Sequence, residues 1–232
     1  MISLDPAHAD AIREGPGDDA PRLAAAKQMP GERGELVRVQ CALASATANE
    51  RPRLEQRERE LLRLHEEAWT GAWRHAAQSW RWSRGFVEEI HLRASLVLAE
   101  SLAAIGASEP GVRTLCLVLG RCSLGVGAVR ELGKSRRLQA LVELFIPGNA
   151  FGDAGAEALA ASSRLARLSR LDVSYCGIGD AGAAALASSP HLAGITELVL
   201  TGNVLRHPGQ KRLRDRFGDR VRLDRQGEFQ GT

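Results

Sequence analysis

The sequence between residues 138 and 190 repeats itself every 27 residues, and this constrains the fold more than any other feature. The segment LQALVELFIPGNAFGDAGAEALAASSR is followed without a gap by LARLSRLDVSYCGIGDAGAAALASSP. Apolar residues recur at matching places, so that Leu144 corresponds to Leu171 and Ile146 to Val173. A period of this length indicates a solenoid of stacked coils, because a single coil cannot bury enough apolar surface to fold alone.

The same register extends in both directions and predicts five coils between residues 84 and 218. Each coil is expected to place a small or amide side chain in a buried turn, where an asparagine can bond backbone groups of adjacent coils. Cysteine in this position is interpreted as a small buried side chain. The five residues of this slot are Ser95, Cys122, Asn149, Cys176 and Asn203.

The pattern L-x-x-L-x-L-x-x-N/C-x-L, followed by Gly-Asp-Ala-Gly, resembles leucine-rich repeats of the inhibitor type. The resemblance implies an α/β fold, a leucine-rich-repeat solenoid shaped as a short horseshoe. Parallel strands are then expected on its concave face and helices on its convex face. It also implies a function in binding another protein.

Residues 1–83 lack the 27-residue period and predict a small helical N-terminal domain. Acidic residues, prolines and glycines separate the expected helices. After the repeats, residues 219–232 are predicted to form a C-terminal cap and a frayed tail. The predicted N-terminal helices span residues 7–14, 22–28, 32–46 and 53–69.

Four N-terminal segments carry a second resemblance: DDAPRL, ELVRVQCALA, LLRLHEEAW and WRWSRGFVEEIHL. In this order they resemble a bacterial repeat-companion domain of unknown function that often precedes leucine-rich repeats. The family usually has YADWLEE where this chain has the shorter AAAKQM, residues 24–29. The resemblance implies a companion domain for the repeats and no chemistry of its own.

We expect a protein partner on the concave face, where alternate strand residues lie away from the core. Phe145 and Tyr175 are the predicted anchors, since aromatic residues with a charged rim typify interfaces. The competing interpretation is that single exposed apolar residues need no partner. The predicted binding set is Val118, Arg121, Glu143, Phe145, Arg170, Asp172, Tyr175, Glu197 and Val199.

Nucleic-acid binding is the alternative function. Residues 206–225 contain eight lysines and arginines against three aspartates, although the net charge of the chain is only +3. A helix and a short strand that close the solenoid are the favoured interpretation of this segment. The tryptophans between residues 69 and 82 could stack on bases or cover the first coil, and the second role is favoured.

No P-loop, nucleophile elbow or HExxH motif occurs, so the sequence predicts neither an enzyme nor a cofactor. His65 and His75 are too far apart on one helix to bind one metal ion. The four cysteines form no CxxC pair, and no apolar run approaches 18 residues. We therefore expect a cytoplasmic monomer with reduced thiols and no place in a membrane.

Overall fold

A computed structural model describes residues 4–15, 17–29, 31–71, 73–93, 114–118, 125–134 and 141–227, with only the backbone of residues 76, 92–93 and 114–118. Helices come first, and strands then alternate with helices to the C-terminal end. The predicted α/β solenoid with a helical N-terminal region is therefore confirmed.

The four N-terminal helices begin and end within two residues of the boundaries predicted from the sequence. Pro6 and Pro52 lie in the first turn of their helices, where a missing N–H costs nothing. The elements are α1 (Pro6–Glu14), α2 (Ala20–Gln28), α3 (Gly31–Ser45), α4 (Arg51–Thr70), β1 (Ala77–Ser83), β2 (Phe86–Arg93), β3 (Thr114–Val118), α5 (Val126–Lys134), β4 (Glu143–Phe145), α6 (Gly152–Ala160), β5 (Arg170–Asp172), α7 (Asp180–Ser188), β6 (Glu197–Val199), α8 (His207–Phe217) and β7 (Val221–Arg222).

The seven described strands form one sheet in chain order, from β1 to β7. Strand β1 is antiparallel to β2, and every later neighbour is parallel. Leu144, Leu171 and Leu198 align across β4, β5 and β6, as the 27-residue period requires. All three are at most 1% exposed, so this row forms part of the core.

Strand β3 departs from the 27-residue register by two residues. Leu115, and not Leu117, aligns with both Ile90 and Leu144. The segment LCLVL offers leucine at every second position, and a shift of two residues keeps the same side chains on each face of the sheet. The apolar pattern therefore could not distinguish the two registers.

A long apolar core runs between the sheet and the helices of the coils. Leu159, Leu186 and Leu213 enter it from α6, α7 and α8, and each is at most 1% exposed. Trp73 is fully buried in this core, next to the hairpin of β1 and β2, and Phe217 lies in the same core in the last described helix. Aromatic side chains therefore belong to this core in the segments just before β1 and just before β7.

Strand β1 was not predicted, and it pairs with β2 through a hairpin turn at Arg84 and Gly85. The expected boundary between residues 83 and 84 therefore falls inside this turn. Two irregularities in the pairing of β1 interrupt the outer strand of the sheet. Such bulges protect an edge strand against pairing with another chain.

The hairpin turn packs into the N-terminal helices. The Arg84 side chain lies 2.9 Å from the Asp19 carboxylate, and the Gly85 N–H donates to Gln40 Oε1 at 2.6 Å. A Cβ atom at Gly85 would lie 2.3 Å from Val37, and the φ angle there is +81°, so glycine is required for two reasons.

Aromatic residues of the hairpin surround buried arginines of the helices. The Arg33 guanidinium lies 4.4 Å from the Trp82 ring centroid and 5.1 Å from that of Trp69. Arg22, which is 2% exposed, lies 5.7 Å from the centroid of Phe86. The segments that carry the companion-domain resemblance thus converge at one place, where these residues join helices to sheet.

Aspartates on the convex side link each coil to the next. Asp153 Oδ1 accepts hydrogen bonds from the N–H groups of Gly179 at 2.6 Å and Gly182 at 2.9 Å. One period later, Asp180 Oδ1 accepts from Arg206 and Gly209 at the start of α8. Each aspartate therefore satisfies the free N–H groups of the following helix.

The C-terminal segment closes the last coil. Arg220 Nη1 donates to the carbonyl of Ile195 at 2.6 Å, and Gln226 Nε2 donates to the carbonyl of Leu200 at 2.8 Å. Leu223 is 9% exposed and belongs to the apolar core. These contacts satisfy backbone groups that a following coil would otherwise bind.

Candidate protein-binding surface

The face of the sheet opposite the helices, here called the concave face, is formed by the residues that flank the buried leucines of β4, β5 and β6. The leucine in the middle of each strand points into the core, so its two neighbours lie on the other face. The flanking residues are Glu143, Phe145, Arg170, Asp172, Glu197 and Val199.

Charged residues on this face pair with each other across the strands. Arg170 Nη1 lies 3.2 Å from Glu143 Oε1, and Arg170 Nε lies 2.9 Å from Glu197 Oε2. Arg222 of β7 lies 2.8 Å from the other oxygen of Glu197. Hydrogen bonds to Glu143 and then Glu197 raise the pKa of Arg170 above its ordinary value. The four side chains form an ion-pair ladder of alternating sign, and these charges compensate one another.

Phe145 is covered on one side by this ladder. The Arg170 guanidinium lies 5.2 Å from the centroid of the Phe145 ring. Phe145 and Val199 are each partly buried. The face therefore presents an aromatic ring and a valine beside an arginine that two carboxylates hold in place.

Asp172 is engaged within its own chain. Its Oδ1 accepts hydrogen bonds from the Ser174 N–H at 2.9 Å and from the Ser174 hydroxyl at 2.6 Å. These bonds shape the turn that leads from β5 to Tyr175.

Tyr175 adopts a backbone conformation that neighbouring coils reserve for glycine. Its φ angle is +55°, and the residues 27 positions away on either side are Gly148 (φ +71°) and Gly202 (φ +67°). The Tyr175 ring lies against Gly202, where an added Cβ would be 2.1 Å from Tyr175 Cε1. Gly202 thus makes room for the ring, a support that the sequence analysis missed although the glycines recur at a fixed spacing.

The first coil carries a further polar group on the concave face. His91 Nε2 and Glu89 Oε1 lie 2.7 Å apart, and Arg81 Nε lies 3.1 Å from Glu89 Oε2. The bond to His91 is the largest cause that holds the pKa of Glu89 below its ordinary value. The chemistry of this cluster is that of a surface ion-pair network.

The asparagine slot lies in the core beneath the concave face. Asn203 Oδ1 accepts from the N–H groups of Cys176 and Ile178, both at 3.0 Å. Its Nδ2 donates to the carbonyls of Val173 and Leu200. All four bonds are buried, and two of the partners belong to the turn that contains Cys176.

Asn149 and Cys176, the other members of the slot that the structure describes, are also buried. Asn149 donates to the carbonyl of Ile146 at 2.9 Å. The Cys176 thiol donates to the same carbonyl at 3.4 Å, and burial raises its pKa to about 12. At this pKa the thiol is protonated near neutral pH, so little of the reactive thiolate is present.

The structure does not place four predicted site residues where the sequence predicted them, two of the concave face (Val118 and Arg121) and two of the buried slot (Ser95 and Cys122). Ser95, Arg121 and Cys122 lie outside the described residues. Val118 was expected beside Phe145, but the offset of β3 aligns Cys116 with Phe145 and Val118 with Arg93. The physical reason is that leucine recurs at every second position of this strand, so its apolar pattern fits both the predicted register and the observed one.

In the part of the chain that the structure describes, His, Cys, Asp and Glu side chains form no group of three that could hold a metal ion. Among the same residues, no helix combines the length and apolarity needed to cross a membrane.

Comparison with known families bears on the two best-preserved coils. A family model described as leucine rich repeat matches residues 141–160 and 168–187. These two segments are leucine-rich repeats. The first contains β4 and α6, and the second contains β5 and most of α7. Leucine-rich repeats generally mediate contacts between proteins and are typically not enzymes. No curated protein is similar enough to this chain to be matched.

Proposed function

We propose that this chain is a non-enzymatic protein-interaction module whose leucine-rich repeats hold a protein partner on the concave face. Phe145 and Tyr175 are the anchors, and Val199 extends the apolar surface between them and the last strand. The arginine and glutamates of the ion-pair ladder surround these residues.

The conformation of Tyr175 is the observation that carries the proposal. A non-glycine residue in a sparsely populated backbone region costs about 1–3 kcal/mol and is commonly retained at functional sites. Glycine occupies the same slot in both adjacent coils, so the fold itself does not require a side chain there.

The ion-pair ladder prepares the surface around Phe145. Arg170 is held between Glu143 and Glu197, so it loses little freedom when a partner binds. Aromatic residues and arginine are the residue types that dominate binding energy at interfaces. Because the charges already compensate each other, affinity is expected to come from apolar and stacking contacts and to depend little on salt.

The proposal is tested by capture of partners from a lysate of the source cells, followed by mass spectrometry. The bait is the full chain, and the test variant is Phe145→Asp with Tyr175→Ala. Val204→Asp is the matched control, since Val204 is 42% exposed and follows the Asn203 turn outside the set of anchors. Circular dichroism verifies that both variants fold. Loss of the same partner in the test variant alone supports the proposal, and equal capture by both variants contradicts it.

A second candidate function, nucleic-acid binding through residues 206–225, is supported by exposed arginines on α8. Arg212 and Arg216 make no ion pair within the described residues. Other basic residues of the segment are engaged, since Lys211 pairs with Asp215 and Arg220 binds backbone carbonyls. A salt titration separates the functions, because nucleic-acid affinity falls steeply with salt and apolar protein contact does not.

The proposal includes the organisation of the whole chain. Residues 1–83 form a domain of the repeat-companion kind, residues 84–218 form five repeats of 27 residues, and residues 219–232 form the cap and tail. We further propose that the protein is a cytoplasmic monomer that needs no cofactor. Analytical ultracentrifugation of the full chain tests the monomer, and a dimer at micromolar concentration would contradict it.

A further inference from the structure

A cavity of about 320 Å³ lies where α1 meets the turn that follows α6. Ligand pockets commonly start at about 300 Å³, so this one suits a small molecule. It lies on a different part of the molecule from the strands of the concave face. The residues that line it are Arg13, Glu14, Ser163, Arg164, Ala166 and Arg167.

Two of the three arginines are fixed by hydrogen bonds. Arg13 is only 6% exposed, and its Nη1 donates to Asp10 Oδ1 at 2.7 Å. Arg167 donates from Nη1 to the carbonyl of Arg13 at 2.5 Å and from Nη2 to the carbonyl of Glu14 at 2.6 Å. These bonds satisfy carbonyls at the C-terminal end of α1 and hold the Arg167 guanidinium at the cavity wall.

Arg164 is the third arginine of the lining, and it is partly buried. It makes no hydrogen bond or ion pair within the part of the chain that the structure describes. Three arginines thus line one cavity whose lining contains a single carboxylate, that of Glu14, and Arg13 also pairs with Asp10 outside the lining. Three arginines against two carboxylates leave a net positive charge at the cavity, and such a charge favours an anion.

We propose that this cavity binds a phosphate group, either as inorganic phosphate or as part of a small phosphomonoester. A phosphate dianion offers several acceptor oxygens and two negative charges, which match the planar N–H forks of converging arginines. Arg164 supplies the uncommitted fork, and Arg167, whose Nη atoms bind neutral carbonyls, supplies fixed positive charge. The ligand joins α1 to the repeat that contains Arg164 and Arg167.

Isothermal titration calorimetry of the full chain at pH 8 and constant ionic strength tests the proposal. Inorganic phosphate and glycerol 3-phosphate are titrated separately, with sodium acetate as the comparison anion. We expect saturable binding of at least one phosphate source, with a Kd on the order of 1 mM or tighter. Whichever of inorganic phosphate and glycerol 3-phosphate binds more tightly identifies the source of the phosphate group. Absence of saturation for both by about 10 mM, or equal binding of acetate, overturns the proposal.

Arg164→Gln is the variant of choice, because Arg164 supports no other described residue and the protein should remain folded. The loss of one charged hydrogen-bonding group should weaken phosphate binding about tenfold. Arg212→Gln, which removes an exposed arginine from α8, is the matched control and should bind as the unaltered chain does. Unchanged affinity in Arg164→Gln, or the same loss in Arg212→Gln, would show that the cavity is not the site.

Discussion

Asp153 and Gly182 lie in successive coils, and the carboxylate of the first accepts a 2.9 Å hydrogen bond from the N–H of the second. The same oxygen accepts from Gly179, so one aspartate caps the helix of the next coil. The motif Gly-Asp-Ala-Gly is therefore a connection between coils. The last coil has His207 in the aspartate position, and within the described residues no α-helix follows α8 that would need a cap.

Asp153→Ala should lower the free energy of unfolding by about 1–2 kcal/mol, because it leaves two N–H groups of α7 without their acceptor. Chemical denaturation monitored by circular dichroism measures the change. Glu157→Ala is the control, since Glu157 is exposed on α6 and should change stability by less than about 0.5 kcal/mol. Equal effects of the two substitutions would contradict the capping role.

Gly182→Ala should also destabilise the protein, although alanine favours helices. Its Cβ would lie 2.7 Å from Asp153 Oδ1 and 2.8 Å from Ile178 Cγ2. Gly127→Ala in α5 is the matched control, because a Cβ there meets no atom of the described residues within 4 Å and should raise stability slightly. Thermal unfolding of the two variants should shift in opposite directions. A rise in Tm for Gly182→Ala would show that the coils separate easily.

Asn203→Ala should cost about 2–4 kcal/mol, because it leaves the buried N–H groups of Cys176 and Ile178 without acceptors. Asn49→Ala is the control, since Asn49 is exposed in the turn before α4 and makes no hydrogen bond among the described residues. Urea denaturation measures both variants. A loss below about 1 kcal/mol for Asn203→Ala would mean that water or another side chain replaces the amide.

The thiols of Cys41 and Cys176 should be inert in the folded protein. Burial is the main cause that raises the pKa of each to about 12, so almost no thiolate exists at pH 8. Iodoacetamide followed by peptide mapping should label both residues only after denaturation. The pKa of each thiol in the folded protein exceeds the unfolded value of about 8.5. The stability that the two buried thiols contribute is therefore fully present below pH 8.5 and decreases as pH rises towards 12. Rapid labelling of either thiol under native conditions would contradict their burial.

The sequence predicted the coils well because burial acts on every period. Leu144, Leu171 and Leu198 recur at 27 residues, and only a solenoid buries all of them. It could not predict the register of β3, where leucine recurs every second residue. Strand β1 was also missed, since the segment AQSWRWS pairs only through contacts with β2 that no local pattern reveals.

The concave face was harder to predict than the fold, because its charged side chains pair with each other. Glu143, Arg170 and Glu197 were predicted to belong to the partner-binding set, and their first partners are each other. The repeat length indicates that these three residues align across the strands. Their ion pairs depend on side-chain conformations that the repeat pattern does not specify. Tyr175 was predicted as an anchor, but its left-handed conformation appears only in the structure.

The most direct test of the proposed binding surface is Tyr175→Gly, which restores the residue that the adjacent coils use. Removal of the strained conformation offsets the loss of the ring contact with Gly202, so stability should stay within about 1 kcal/mol of the unaltered chain or rise. Partner capture should be lost in this variant and retained in Tyr175→Phe, which keeps the ring. Capture by Tyr175→Gly at the level of the unaltered chain would contradict the claim that the concave face binds through this residue.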